Sequence, residues 1–112
     1  MIGHPRFGFN ENVNRPSLNE IDQLKNIGTP TIVDAQNRTG SMNPKIKPLK
    51  TGDSILGTAI TVDLPAEDNL MLYKALQLAH PGDVLVVNTN NNFTRAIWGE
   101  LMTLSAMELK LG

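Results

Sequence analysis

The chain has no cysteine in its 112 residues, so no disulfide staples it and thiolate chemistry is excluded. That absence fits a cytosolic protein. An excess of charge is missing too: Lys and Arg total 10, Asp and Glu 11, for a formal net charge of -1. Nothing in that balance points to a nucleic-acid backbone or an anionic membrane as partner. No apolar run approaches the length that spans a bilayer, and the opening MIGHPRFGFNENVN holds no apolar stretch of the signal-peptide kind. The expectation is a soluble protein of the cytoplasm. Internal repeats and low-complexity segments are also lacking; Asn88, Asn90, Asn91 and Asn92 come nearest. The length suits one domain, able to bury roughly two thirds of its unfolded surface.

Residues 1–15 mix Gly, Asn and Pro with Phe7 and Phe9 and read as an irregular arm, with the body in residues 16–112. The two Phe side chains are placed to dock on the body or on a neighbouring subunit. His4 in this arm reads as solvated before it reads as a ligand. Ser17 and Glu20 have capping-box spacing, in which the Ser oxygen takes a free helix N–H and the Glu reaches back to the cap. Leu18, Ile21 and Leu24 continue at helical spacing, and Gly28 is expected to make a left-handed exit. Thr29 followed by Pro30 marks a second start, with Ile32, Val33 and Ala35 as its buried side and Gly40 as its end. Asp34 there reads as a solvated or capping carboxylate. Segment 41–52 (SMNPKIKPLKTG) is extended or turning, because each Pro pushes its predecessor out of helix. Lys45, Lys47 and Lys50 then line an exposed edge that discourages strand pairing, with phosphate binding as the alternative.

Residues 54–64 (SILGTAITVDL) predict a strand, with Gly57 at a bulge or a close backbone approach. A helix over 69–79 follows, its stripe of Leu70, Tyr73, Ala75, Leu76 and Ala79 lying near the helical period. Asp68 is its N-cap in preference to a ligand, and His80 in its last turn is a dipole partner in preference to a catalytic base. Residues 84–87 (VLVV) are a short unbroken apolar run, the pattern of a strand buried on both faces. Strand, helix and strand make a right-handed βαβ unit.

The polar turn at 89–92, where Asn tolerates left-handed backbone, leads past Arg95 to Gly99, Glu100, Leu101 and Met102. A last helix is expected over 99–111, apolar along Leu101, Leu104, Met107 and Leu111, with Gly112 as its exit. Strand, loop and helix start is where α/β proteins bind anions, since free N–H groups and the positive dipole end converge there. Gly99 permits close approach of a ligand to the backbone, and Glu100 sets a carboxylate beside it. That suits an anionic substrate with a metal ion nearby. An ordinary βα connection accounts for the same four residues. The fold class is α/β, and with two clear strands the sheet is expected to be incomplete, because parallel strands need cover on both faces.

Segments 29–40 (TPTIVDAQNRTG), 42–49 (MNPKIKPL), 55–63 (ILGTAITVD), 81–87 (PGDVLVV) and 96–101 (AIWGEL), with Asp68 to Leu70, resemble the RraA-like family in order and spacing. That family includes 4-hydroxy-4-methyl-2-oxoglutarate aldolases, oxaloacetate decarboxylases and the regulator of ribonuclease activity A. The resemblance implies a class II pyruvate aldolase fold, a layered α/β domain of swivelling-domain topology, here cut short after its second βα unit. It implies a homotrimer or hexamer with active sites at subunit interfaces. Main-chain N–H groups at Gly99, Glu100, Leu101 and Met102 are then expected to hold the substrate carboxylate. Glu100 is the expected catalytic acid group, reaching a Mg²⁺ or Mn²⁺ ion through water. The family's Arg-Asp pair, with the principal metal ligand, is expected beyond Gly112.

The implied reaction cleaves a small pyruvate-type 2-oxo acid, by retro-aldol or by loss of CO₂ from oxaloacetate, through pyruvate enolate. A divalent ion at the keto oxygen and carboxylate stabilises that enolate, and hard oxygen ligands with retained waters suit Mg²⁺ or Mn²⁺. Without the downstream pair, the chain alone is expected to be inactive or one piece of a longer enzyme. One departure stands out: the family's Asp-Gly-Gly-Gly after the strand is Asn88, Thr89, Asn90 and Asn91 here. The alternatives are a non-catalytic binding protein like the ribonuclease regulators, or an inactive fragment. Trp98, Gly99 and Glu100 favour the enzyme lineage.

Overall fold

In chain order the elements are α1 (Leu18–Asp22), α2 (Thr29–Ala35), β1 (Ala59–Asp63), α3 (Leu70–Leu78), β2 (Val84–Asn88) and α4 (Glu100–Glu108). They come from a computed structural model that describes residues 8–65 and 68–112; His4 and Phe7 lie outside those residues. β1 and β2 run parallel, from Ala59 opposite Val84 to Asp63 opposite Asn88, with α3 as the crossover. The chain is a mixed α/β protein built on this two-stranded sheet.

Alternation orients β1: Ile60 and Val62 turn inward, while Ala59, Thr61 and Asp63 face out. The core joins Ile60, Val62 and Leu64 to Leu72, Ala75 and Leu76 of α3 and to Met102 of α4. Leu64 and Leu72 are fully enclosed, each burial contributing about 1.5–3 kcal/mol. The buried stripe of α3 is therefore centred on Leu72, Ala75, Leu76 and Ala79, whereas Leu70 and Tyr73 are exposed. β1 starts later than residue 54, and Ile55 faces solvent. Gly57 sits at a close approach: a Cβ there would run into the Gly82 carbonyl oxygen and lie 3.0 Å from Val84 Cγ2. In β2, Val84 is buried but Leu85, Val86 and Val87 are half-buried, so burial on both faces is only partly reached.

The helix ends follow local chemistry. α1 carries the capping box: Glu20 N–H donates to Ser17 Oγ (3.2 Å) and Ser17 N–H donates to Glu20 Oε2 (2.8 Å). Hydrogen bonding to the Ser17 backbone and hydroxyl draws the Glu20 carboxyl below its ordinary pKa. Gly28 is not a left-handed exit. It is extended (φ -64°) and is itself the N-cap of α2, which makes Thr29 the first helical residue. α2 ends at Ala35 and leaves through the left-handed Asn37 (φ 56°) rather than Gly40. There the Asn37 N–H donates to Asp34 O (3.1 Å) and the Arg38 N–H to Val33 O (2.8 Å), the paired bonds of a Schellman exit. Neither α1 nor α2 has a buried residue; Ile32 and Val33 are half-buried and Ala35 is exposed. Asp34 is exposed, 3.8 Å from Arg38. Lys45, Lys47 and Lys50 are all exposed, and segment 41–52 forms no strand. Asp68 Oδ1 accepts from Leu70 N–H (2.9 Å) and so caps α3, although Asn69 occupies the N-cap position.

Among the described residues, the arm meets the body where Val13 packs against the core, and at Phe9 and Arg15. Lys74 Nζ lies 4.4 Å from the centroid of the Phe9 ring. Arg15 grips Asp83 through Nε to Oδ1 (3.0 Å) and Nη2 to Oδ2 (2.7 Å), the fork-on-carboxylate geometry of a strong ion pair. The His80 N–H also donates to Asp83 Oδ2 (2.7 Å), while the His80 side chain is exposed. Asp83 is only 2% exposed. Burial pushes its carboxyl pKa up, but hydrogen bonds from Arg15 and the His80 N–H, with the nearby positive charge, outweigh it and leave the pKa below the ordinary value. The same bond raises the Arg15 pKa.

A group with a depressed folded pKa stabilises above its unfolded pKa and loses that contribution as pH falls through the folded one. Asp83→Asn is therefore expected to lower Tm by on the order of 5–10 °C at pH 7. The gap between variant and wild type should close below about pH 4. Calorimetry at both pH values checks it, and a gap that widens on acidification is the contrary result.

Candidate active site at the start of the last helix

The loop from β2 to α4 is shaped by its asparagines. Asn90 (φ 52°) and Asn91 (φ 62°) are left-handed, which Asn tolerates better than most residues. Asn92 Oδ1 then accepts from the Thr94 N–H (3.2 Å) and hydroxyl (3.0 Å). Gly99 is the N-cap of α4, extended at φ -138° and ψ -179°, and no side chain caps the helix. Its first N–H groups, on Glu100, Leu101 and Met102, are thus left for a ligand or solvent.

The four residues singled out in the sequence are consecutive at this turn, but their side chains part company. Met102 is buried in the core, Leu101 is 79% exposed and Glu100 is exposed. The face of α4 that packs inward carries Met102, Ala106 and Leu109. Leu101, Leu104 and Met107, expected as the packed stripe, are exposed, because α4 has apolar residues around its whole circumference. Its exit falls on Lys110 (φ 56°) rather than Gly112: Lys110 N–H donates to Met107 O (3.0 Å) and Leu111 N–H to Ala106 O (3.1 Å). Trp98 Nε1 donates to Thr103 Oγ1 (2.7 Å), which in turn donates to Gly99 O (3.2 Å). Sequence reasoning passed over Thr103, since a hydroxyl on an exposed helix position carries no motif.

A second polar group forms at the carboxyl ends of the strands. Asn88 Nδ2 donates to Asp63 Oδ1 across the ladder (2.7 Å), Asn90 Nδ2 donates to the same oxygen (3.2 Å), and Asn90 Nδ2 also donates to Leu64 O (2.6 Å). The amide at position 88 thus has a local cause: register sets it opposite a carboxylate. A groove of about 1120 Å³ runs past this group between the arm, β1 and α3, with Phe9, Thr61, Asp63, Lys74 and Asn88 among its walls. Gly99 to Met102 lie outside it. Among the described residues no group of three or more His, Cys, Asp or Glu converges as a metal site. Glu100 is a single carboxylate, so the described residues do not by themselves fit a divalent-ion centre.

Uncapped helix N–H groups after a parallel strand are a place where α/β proteins can hold an anion. Residues 29–112 match RraA-like (Aldolase/RraA), and the chain belongs to the RraA-like family. A protein of Halalkalibacterium halodurans, provisionally named 4-hydroxy-4-methyl-2-oxoglutarate aldolase, is 36% identical over 90 residues, which are 80% of this chain and 43% of the relative. The chain therefore spans less than half the length of that curated relative. No described helix is long and apolar enough to cross a membrane.

Restoring a carboxylate at position 88 should be unfavourable in this chain. Asn88→Asp sets like charges across the ladder and removes the bond to Asp63, an expected loss of about 1 kcal/mol at pH 7. Urea titration at pH 7 reads it, and a variant as stable as wild type is the contrary result.

Proposed function

We propose that this chain supplies the carboxylate-binding part of an aldolase-type lyase that cleaves a small pyruvate-type 2-oxo acid. The observation that carries the reading is the uncapped start of α4 at Gly99 in a chain of the RraA-like family. The N–H groups of Glu100, Leu101 and Met102 hold the substrate carboxylate, aided by the positive end of the α4 dipole. With that end fixed, carbon–carbon cleavage leaves the electron pair on the pyruvyl fragment as an enolate, and protonation of its carbon gives pyruvate. Glu100 stands beside the bound carboxylate, where it orients water for that proton transfer. The name of the Halalkalibacterium relative suggests 4-hydroxy-4-methyl-2-oxoglutarate as substrate, and oxaloacetate shares the enolate step.

A Mg²⁺ or Mn²⁺ ion is part of this proposal only through Glu100, since the described residues do not assemble a centre for it. Assembly as a homotrimer or hexamer in the cytoplasm completes the reading. In support, Phe93, Leu101, Leu104 and Met107 are exposed around the same loop and helix, an apolar surface of the kind subunit contacts cover.

In protein isolated from its native source, pyruvate release from 4-hydroxy-4-methyl-2-oxoglutarate or oxaloacetate should exceed the protein-free blank. Glu100→Ala is expected to lower kcat/KM by at least about tenfold. Coupling the pyruvate to lactate dehydrogenase measures both. No release above the blank, or full activity in the variant, contradicts the proposal.

A further inference from the structure

We infer that Trp98 and Thr103 are positioning residues that aim the free N–H groups of α4; the inference rests on the carboxylate site proposed above. Trp98 is the single tryptophan of the chain, and an indole N–H can only donate. Its bond to Thr103 Oγ1 (2.7 Å) makes that hydroxyl the acceptor. The Thr103 proton is left to the Gly99 carbonyl (3.2 Å), which also accepts the Thr103 backbone N–H (3.0 Å). The chain of donors thus has one direction, from indole to hydroxyl to carbonyl.

That direction matters because a peptide unit is planar and trans. Holding the Gly99 oxygen toward Thr103 turns the N–H of the same unit, on Glu100, the opposite way, into the mouth of the loop. The first backbone bond of the helix, from the Thr103 N–H, holds the same oxygen, and the side-chain latch adds a second donor to it. Apart from its chain neighbours, no heavy atom lies within 4 Å of where a Gly99 Cβ would stand, so no packing assists the two bonds. The far side of the turn is held differently, by Met102 in the core at 5% exposure. The three N–H groups therefore sit between a hydrogen-bonded latch and an apolar anchor. The latch supplies preorganisation, which favours binding by lowering the ordering cost.

The test uses oxalate, a planar dicarboxylate with the outline of pyruvate enolate, and amide-resolved NMR of the whole chain. In wild type, oxalate should shift the Glu100, Leu101 and Met102 amides and yield a Kd. Trp98→Phe and Thr103→Val should each weaken that Kd by about three- to tenfold, and the double variant should be no weaker than either, because both break one chain of bonds. Thr103→Ser keeps the hydroxyl and should bind within about twofold of wild type. Unshifted Ile60 and Leu72 amides verify the fold in each variant. If wild type binds and Trp98→Phe and Thr103→Val bind equally well, the latch is overturned while the carboxylate site stands. If oxalate leaves the wild-type amides unmoved, the site falls and the positioning role falls with it.

Discussion

The parallel register of β1 on β2 is the constraint on which the rest depends. Pairing Ala59 with Val84 and Asp63 with Asn88 sets Ile60 and Val62 into the core with α3. It also fixes where β2 ends and where the asparagine loop must begin. A slip of one residue would turn Ile60 and Val62 outward and expose that core. Gly57 protects the register at its entrance, since only a residue without a side chain fits against the Gly82 carbonyl. Asp63 and Asn88 close it at the other end with a hydrogen bond between side chains.

From that ladder the position of α4 follows. The loop leaves β2 through two left-handed asparagines and delivers Gly99 to a helix anchored by Met102. The site is therefore a product of tertiary packing on one side and a short hydrogen-bonded turn on the other. The Arg15–Asp83 pair plays a comparable part for the arm, which it holds at the corner between α3 and β2. Because Asp83 is buried, its charge is tolerated only while Arg15 and the His80 N–H satisfy it.

The features legible in the sequence were those decided within a few residues. The capping box at Ser17 and Glu20, the cap from Asp68 and the turn-forming asparagines all depend on near neighbours. The helix start at Gly99 was legible for the same reason. The close approach at Gly57 is to the distant Gly82, and only the glycine itself marked it. Family membership was legible for a different reason, the ordered match spread over residues 29–112. What escaped were choices made by distant partners. Arg15 meets Asp83 across 68 positions, and no local pattern pairs them. The buried face of α4 escaped because Leu101, Leu104 and Met107 look as apolar as Met102, Ala106 and Leu109. The amide at position 88 looked like a plain departure from the family until Asp63 was found opposite it.

The function proposed for this chain turns on whether the start of α4 receives a carboxylate. A crystal structure of the protein soaked with pyruvate answers that. The pyruvate carboxylate oxygens are expected at hydrogen-bonding distance, about 2.9 Å, from the N–H groups of Glu100 and its successors. Pyruvate seated instead beside Lys74 in the groove under the arm, with the α4 start facing only solvent, would contradict it.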